Sequence, residues 1–214
     1  MKIGIFSQSF SSIGLEEAID GAAAIGFDGI ELAALPSHLP LERAVRAGAE
    51  IARRIADAGL SVSAISLYTN FTEDPKRAES VAETLGFVDL AHVFDTRTIK
   101  ITPGPPGSAE AADAHYAGFA RAMEELCPAA RDAGVRYVME THLRMPSDTT
   151  AGTLRLLELG DPEVLGVNLD FCNVATGGDD PTWSIRQLAP RLWYTHVKDG
   201  VHKPDVTGPE RVTW

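Results

Sequence analysis

The chain has little cysteine: two residues in 214, Cys127 and Cys172, which form no close pair. That excludes a disulfide-stapled scaffold and leads us to expect a reducing, cytoplasmic setting. It has no run of lysine and arginine, and 30 acidic residues against 19 basic ones leave a net charge of −11. Such a surface repels phosphate backbones, so no nucleic-acid partner is expected. No apolar stretch approaches the roughly 20 residues that cross a bilayer, so no membrane partner is expected either. The opening "MKIGIFSQSF" goes straight into strand-like residues, so no signal peptide is expected. No Gly-x-Gly-x-x-Gly follows the first strand, which removes the main sequence sign of a dinucleotide-binding fold.

What is present is an ordinary globular composition, 44% hydrophobic and 23% charged, with enough length for one sizeable core. Short runs rich in Val and Ile alternate with longer helical patterns. The strand candidates are 2–6, 28–32, 60–66, 97–101, 135–140, 164–170 and 192–197. Segments such as "LERAVRAGAEIARRIADAG" between them carry apolar residues at i, i+3, i+4 and i+7. Gly26, Gly59 and Gly134 sit where left-handed C-caps belong. A strand–helix repeat of this kind predicts an α/β fold with a parallel sheet, open or closed into a (β/α)8 TIM barrel.

The strand ends favour the barrel. Functional groups of such barrels gather at the C-terminal ends of several strands. Here those ends offer Glu31, Glu140 with His142, Asp170, and His196 with Lys198. Alternation puts Glu140 and His142 on one face, and likewise His196 and Lys198. Glu140, Asp170 and His196 provide two carboxylates and an imidazole. That mixture suits one divalent ion, Mn²⁺, Mg²⁺, Co²⁺ or Zn²⁺, and does not select among them. The alternative is an ion-pair network with Lys198 or Arg144 as counter-charge.

In their order, "GFDGIEL", "VMETH", "GVNLDFCN" and "THVKDG" resemble the sugar phosphate isomerase/epimerase family, the xylose-isomerase-like TIM barrels. The resemblance runs from Lys2 to Asp199. It implies a metal held by Glu140, Asp170 and His196, with a fourth ligand from a Glu on strand eight. It implies His142 and Lys198 as catalytic and substrate-contacting groups beside Glu140. The implied chemistry is isomerisation or epimerisation of a sugar or related polyhydroxy carbonyl compound through an enediolate. Dehydration of a keto-inositol starts with the same proton abstraction and is the alternative, as is a non-catalytic barrel remnant acting as a binding module. Several epimerases of the family carry a His three residues after the strand-six Asp. This sequence has Asn173, taken as a substrate contact, and the change weakens a ketose 3-epimerase assignment.

Seven strand patterns starting at residues 2 to 192 place the next near residue 220. TIM barrels take about 250 residues. Residues 1–214 are therefore expected to form one barrel domain without its last βα unit, with "TGPERVTW" resembling the loop before strand eight. Exposed sheet edges would then invite a homo-oligomer. Among the remaining residues, Glu31 reads as a substrate contact or a surface carboxylate. His38, in a Pro-flanked loop, reads as a surface residue. Lys100 reads as a barrel-mouth or snorkelling lysine.

Overall fold

In the computed structural model, residues 2–202 and 212–213 are described. Seven strands form one parallel sheet in chain order: β1 (Gly4–Phe6), β2 (Gly29–Ala33), β3 (Ser61–Ser66), β4 (Thr98–Ile101), β5 (Arg136–Glu140), β6 (Leu165–Asp170) and β7 (Leu192–His196). Each falls within, or one residue beyond, the run expected from the sequence. The helices between them are α1 (Leu15–Ile25), α2 (Leu41–Asp57), α3 (Lys76–Leu90), α4 (Asp113–Ala133), α5 (Thr150–Leu157), α6 (Phe171–Gly177) and α7 (Pro181–Leu188). Sequential parallel pairing with intervening helices is the TIM-barrel arrangement, here with seven strands among the described residues. A short antiparallel ribbon, β8 (Val201–His202) with β9 (Val212–Thr213), follows β7. Most of the segment read as the loop before strand eight lies outside the described residues.

Local chemistry explains the elements. α1 buries Leu15, Ala18, Ile19 and Ala22, one stripe of a 3.6-residue period, and ends at Gly26 with φ of 95°. Gly134 closes α4 in the same left-handed way, φ 66°. β2 and β6 are buried along their whole length, as parallel strands covered on both sides must be.

The two faces of the sheet differ sharply. Ile30, Leu32, Ile65, Ile99, Ile101, Met139, Leu165, Val167 and Leu169 join the helices in the apolar core. Burying each such side chain contributes about 1.5–3 kcal/mol. The residues that alternate with them include Glu31, Lys100, Glu140, Asn168 and Asp170, all buried yet polar. This inner face therefore gathers the buried polar groups, and the helix-facing side carries the apolar core.

The expectation for His38 is corrected. It is fully buried, with Nδ1 2.9 Å from Ser7 Oγ and Nε2 3.3 Å from the Ile13 carbonyl. The loop after β2 folds back on itself, with Leu39 N–H donating to the Ala33 carbonyl at 3.1 Å. That carries the imidazole inward to tie residues 7–13 to β2.

Candidate active site

Donor atoms of Glu140, Asp170 and His196 lie within 4.8 Å of one another at the ends of β5, β6 and β7. The structure thus brings together the three residues expected to bind metal. Glu140 and Asp170 are buried and His196 largely so. Glu140 Oε1 is 3.3 Å from His196 Nδ1. Asp170 Oδ1 accepts the Asn173 backbone N–H at 2.8 Å, capping α6. Its Oδ2 is 3.1 Å from Lys198 Nζ. Thr141 Oγ1 accepts the Asp170 N–H at 2.9 Å and locks the ends of β5 and β6 together.

The counter-charge of Glu140 is Lys100, fully buried on β4, with Nζ 2.9 Å from Oε2. Of the two counter-charges the sequence offered for the cluster, Lys198 pairs with Asp170, while Arg144 is exposed at the loop after β5 with φ of 61°. Lys100 also lies 4.1 Å from the Tyr68 ring centroid and 5.9 Å from that of Phe6. Snorkelling is thereby excluded, since the ammonium ends inside the barrel.

These neighbours set the protonation states. Burial alone would raise the Glu140 pKa, but the Lys100 charge and the His196 hydrogen bond overcome it. They hold the carboxyl well below its ordinary range. Burial pushes Asp170 upward, and Lys198 and the Asn173 N–H only partly oppose it. Burial would lower His196, but its contacts with Glu140 and Glu31 raise it to about 9.

Each remaining expected residue has a definite place. His142 is half-buried, its Nδ1 3.0 Å from the Leu143 carbonyl and its ring edge-on to Tyr68 at 6.3 Å. Asn173 is buried; its Oδ1 accepts from Lys198 Nζ at 2.9 Å and its Nδ2 donates to the Thr141 carbonyl at 2.9 Å. Glu31 is buried, which removes the surface-carboxylate reading. Sequence reasoning passed over Tyr68, Tyr194, Ser63 and Ser147. Tyr194 had a signal, because it shares the parity of His196 and Lys198 in "YTHVK". Ser147 had none: its Oγ donates to the Glu140 carbonyl at 2.8 Å and accepts the His142 N–H at 3.3 Å.

The donor set fits a divalent cation. It combines two carboxylates with an imidazole in a buried cluster whose ligand atoms converge within 4.8 Å. Both cysteines are free thiols. Among the described residues, no helix is long and apolar enough to cross a membrane.

Comparison with known proteins agrees with this geometry. A family model described as xylose isomerase-like TIM barrel matches residues 19–213. The chain is 26% identical over 202 residues to a 3-dehydroshikimate dehydratase of Bacillus anthracis, covering 93% of this chain and 72% of that protein. It is 28% identical over 87 residues to an inosose dehydratase of Lacticaseibacillus casei, 41% of this chain and 29% of that protein. Among solved structures, an L-ribulose 3-epimerase is 25% identical with a TM-score of 0.75, covering 92% of this chain and 69% of that one.

Proposed function

The chain belongs to the xylose isomerase-like TIM barrel family, and from that premise we propose that it is a metal-dependent enzyme acting on a sugar-like polyhydroxy carbonyl compound. In this reading it removes a proton from the carbon beside the carbonyl and then expels water from the neighbouring carbon. The observation that carries the reading is the buried Glu140–Asp170–His196 cluster with His142 and Lys198 beside it. A divalent cation bound there would polarise the carbonyl oxygen and stabilise the negative charge left by deprotonation.

The roles of the side chains follow from their surroundings. Lys100 and His196 hold Glu140 in its ionised form, which suits a metal ligand and leaves it little basicity. Proton abstraction therefore falls to His142. The Leu143 carbonyl can only accept, so Nδ1 carries the hydrogen and Nε2 keeps its lone pair for the substrate. Lys198, steadied by Asn173 and Asp170, directs an ammonium toward the oxygen that leaves as water. Positioned general-base catalysis supplies about 10²–10⁴-fold, so the cation must carry much of the rest. Two free thiols fit the reducing cytoplasm as its compartment.

Dehydration is favoured because the 3-dehydroshikimate dehydratase match extends over 93% of this chain. Asn173, standing where several epimerases of the family have His, weighs against a ketose 3-epimerase. Epimerisation or isomerisation through the same deprotonated intermediate is the second reading, favoured by the structural likeness to an L-ribulose 3-epimerase. Purified protein should be loaded with Mn²⁺, Co²⁺, Zn²⁺ or Mg²⁺ and offered 3-dehydroshikimate, keto-inositols and ketoses in D₂O. Ultraviolet absorbance reads water loss, and NMR reads C–H exchange and epimerisation. Deuterium entering beside the carbonyl supports the common step. No exchange with any metal across the panel would sink the proposal.

A further inference from the structure

Glu31 ends β2 on the inner face and is 2% exposed. Its Oε2 lies 2.7 Å from His196 Nε2 and 2.9 Å from the Tyr194 hydroxyl. That hydroxyl is also 2.8 Å from Ser63 Oγ. A carboxylate can only accept, so Tyr194 donates to Glu31 and Ser63 donates to the Tyr194 oxygen. The Glu31 carboxylate is thus fixed by a two-step hydrogen-bond chain reaching from β3 through β7 to β2. The far side of the same imidazole turns Nδ1 toward Glu140 Oε1 at 3.3 Å. Phe6 stacks on the ring, centroids 5.6 Å apart and planes 23° from parallel, so the ring cannot easily rotate out of this orientation.

An imidazole that ligates a metal uses one nitrogen as a lone-pair donor and gives its other N–H to a hydrogen-bond acceptor. That partner fixes the tautomer and raises the basicity of the ligating nitrogen. Here the acceptor and the donor cluster stand on opposite edges of one ring.

We propose that Glu31 is a positioning residue for the metal centre. It accepts the Nε2–H of His196 and so leaves Nδ1, once that nitrogen has given up its hydrogen, to offer its lone pair to a cation held with Glu140 and Asp170, with Tyr194 and Ser63 holding its carboxylate in place. The inference rests on the reading of Glu140, Asp170 and His196 as a metal site. It assigns Glu31 to His196 and not to the substrate.

The test uses Mn²⁺ titration calorimetry and ¹H–¹⁵N spectra of the histidine side chains in Zn²⁺-loaded protein, for wild type, Glu31→Gln and Tyr194→Phe. Wild type should show His196 coordinated through Nδ1, with a low-field, slowly exchanging Nε2–H proton. Glu31→Gln, nearly isosteric, should bind Mn²⁺ about 10–100-fold more weakly and lose the low-field proton. Tyr194→Phe should shift both readouts the same way by less. Wild-type affinity and an unmoved proton in Glu31→Gln would overturn the inference and leave the metal site standing. Coordination through Nε2 would overturn it as well. Wild-type protein that takes up neither ion would remove the metal-site reading together with this inference.

Discussion

His142 leaves β5 two residues after Glu140, and its backbone N–H is anchored on Ser147. Its ring hydrogen is committed to Leu143, so the opposite nitrogen is the one available to a substrate. Asn in its place keeps a polar side chain but has no basic nitrogen. His142→Asn should therefore lower turnover by about 10²–10⁴-fold, the usual worth of a positioned general base, while metal content by elemental analysis stays at the wild-type level. Loss of metal along with activity would make His142 a ligand. At this scale the sequence was a fair guide wherever strand parity governs. Glu140 with His142 and His196 with Lys198 could be paired by counting residues, since alternation is a local property of extended backbone. Lys100 could be placed on a face but not matched to Glu140, because its partner is on another strand.

Elements hold these side chains through contacts that the local pattern does not reveal. α5 is capped by Thr149, whose Oγ1 accepts the Gly152 N–H at 3.2 Å. A Cβ on Gly152 would come within 2.0 Å of the Pro146 carbonyl oxygen, which is backbone and cannot swing aside. α5 thus packs directly on the loop that carries His142 and Ser147. Gly152→Ala should cost about 1–3 kcal/mol through overpacking. Thermal melts should register about 2–4 °C per kcal/mol for a chain of this size. Turnover should fall too, because the loop must shift. An unchanged melting temperature would show that the loop yields freely. The sequence foresaw helices α1 to α5 and α7 by their period. It gave no notice of α6, seven residues whose first turn exists because the Asp170 carboxylate caps it.

For the whole molecule, charge buried inside the barrel makes stability depend on pH. His196 has a folded-state value raised to about 9 from 6.5. Its protonated form is bound more tightly in the folded chain, so its contribution is fully present below pH 6.5 and is lost as pH rises through 9. Glu140 is shifted the other way. Its contribution is present above its ordinary value of 4.5 and is lost as pH falls toward the depressed folded value. Metal-free protein should therefore melt highest between about pH 4.5 and 6.5 and lose stability on both sides, with the alkaline loss spread between about pH 6.5 and 9. Melts in chelator across pH 4–10, repeated for His196→Asn, check this. Persistence of the alkaline loss in that variant would assign it to another group.

The sequence alone determined the order and extent of the seven strands, and which strand ends carry carboxylates and imidazoles. Those follow from periodicities of two and 3.6 residues, which need only near neighbours in the chain. It could also point to the family, because the motifs lie on consecutive strand ends. Only the tertiary structure decided how those groups are paired. Glu31 meets His196 across 165 residues of sequence, and Glu140 meets the same ring across 56. Which charge neutralises which, which imidazole nitrogen faces the carboxylate pair, and that His38 is buried are matters of distance in space. Curling the sheet brings β2 and β7 close together, and neither strand's local sequence encodes its separation from the other.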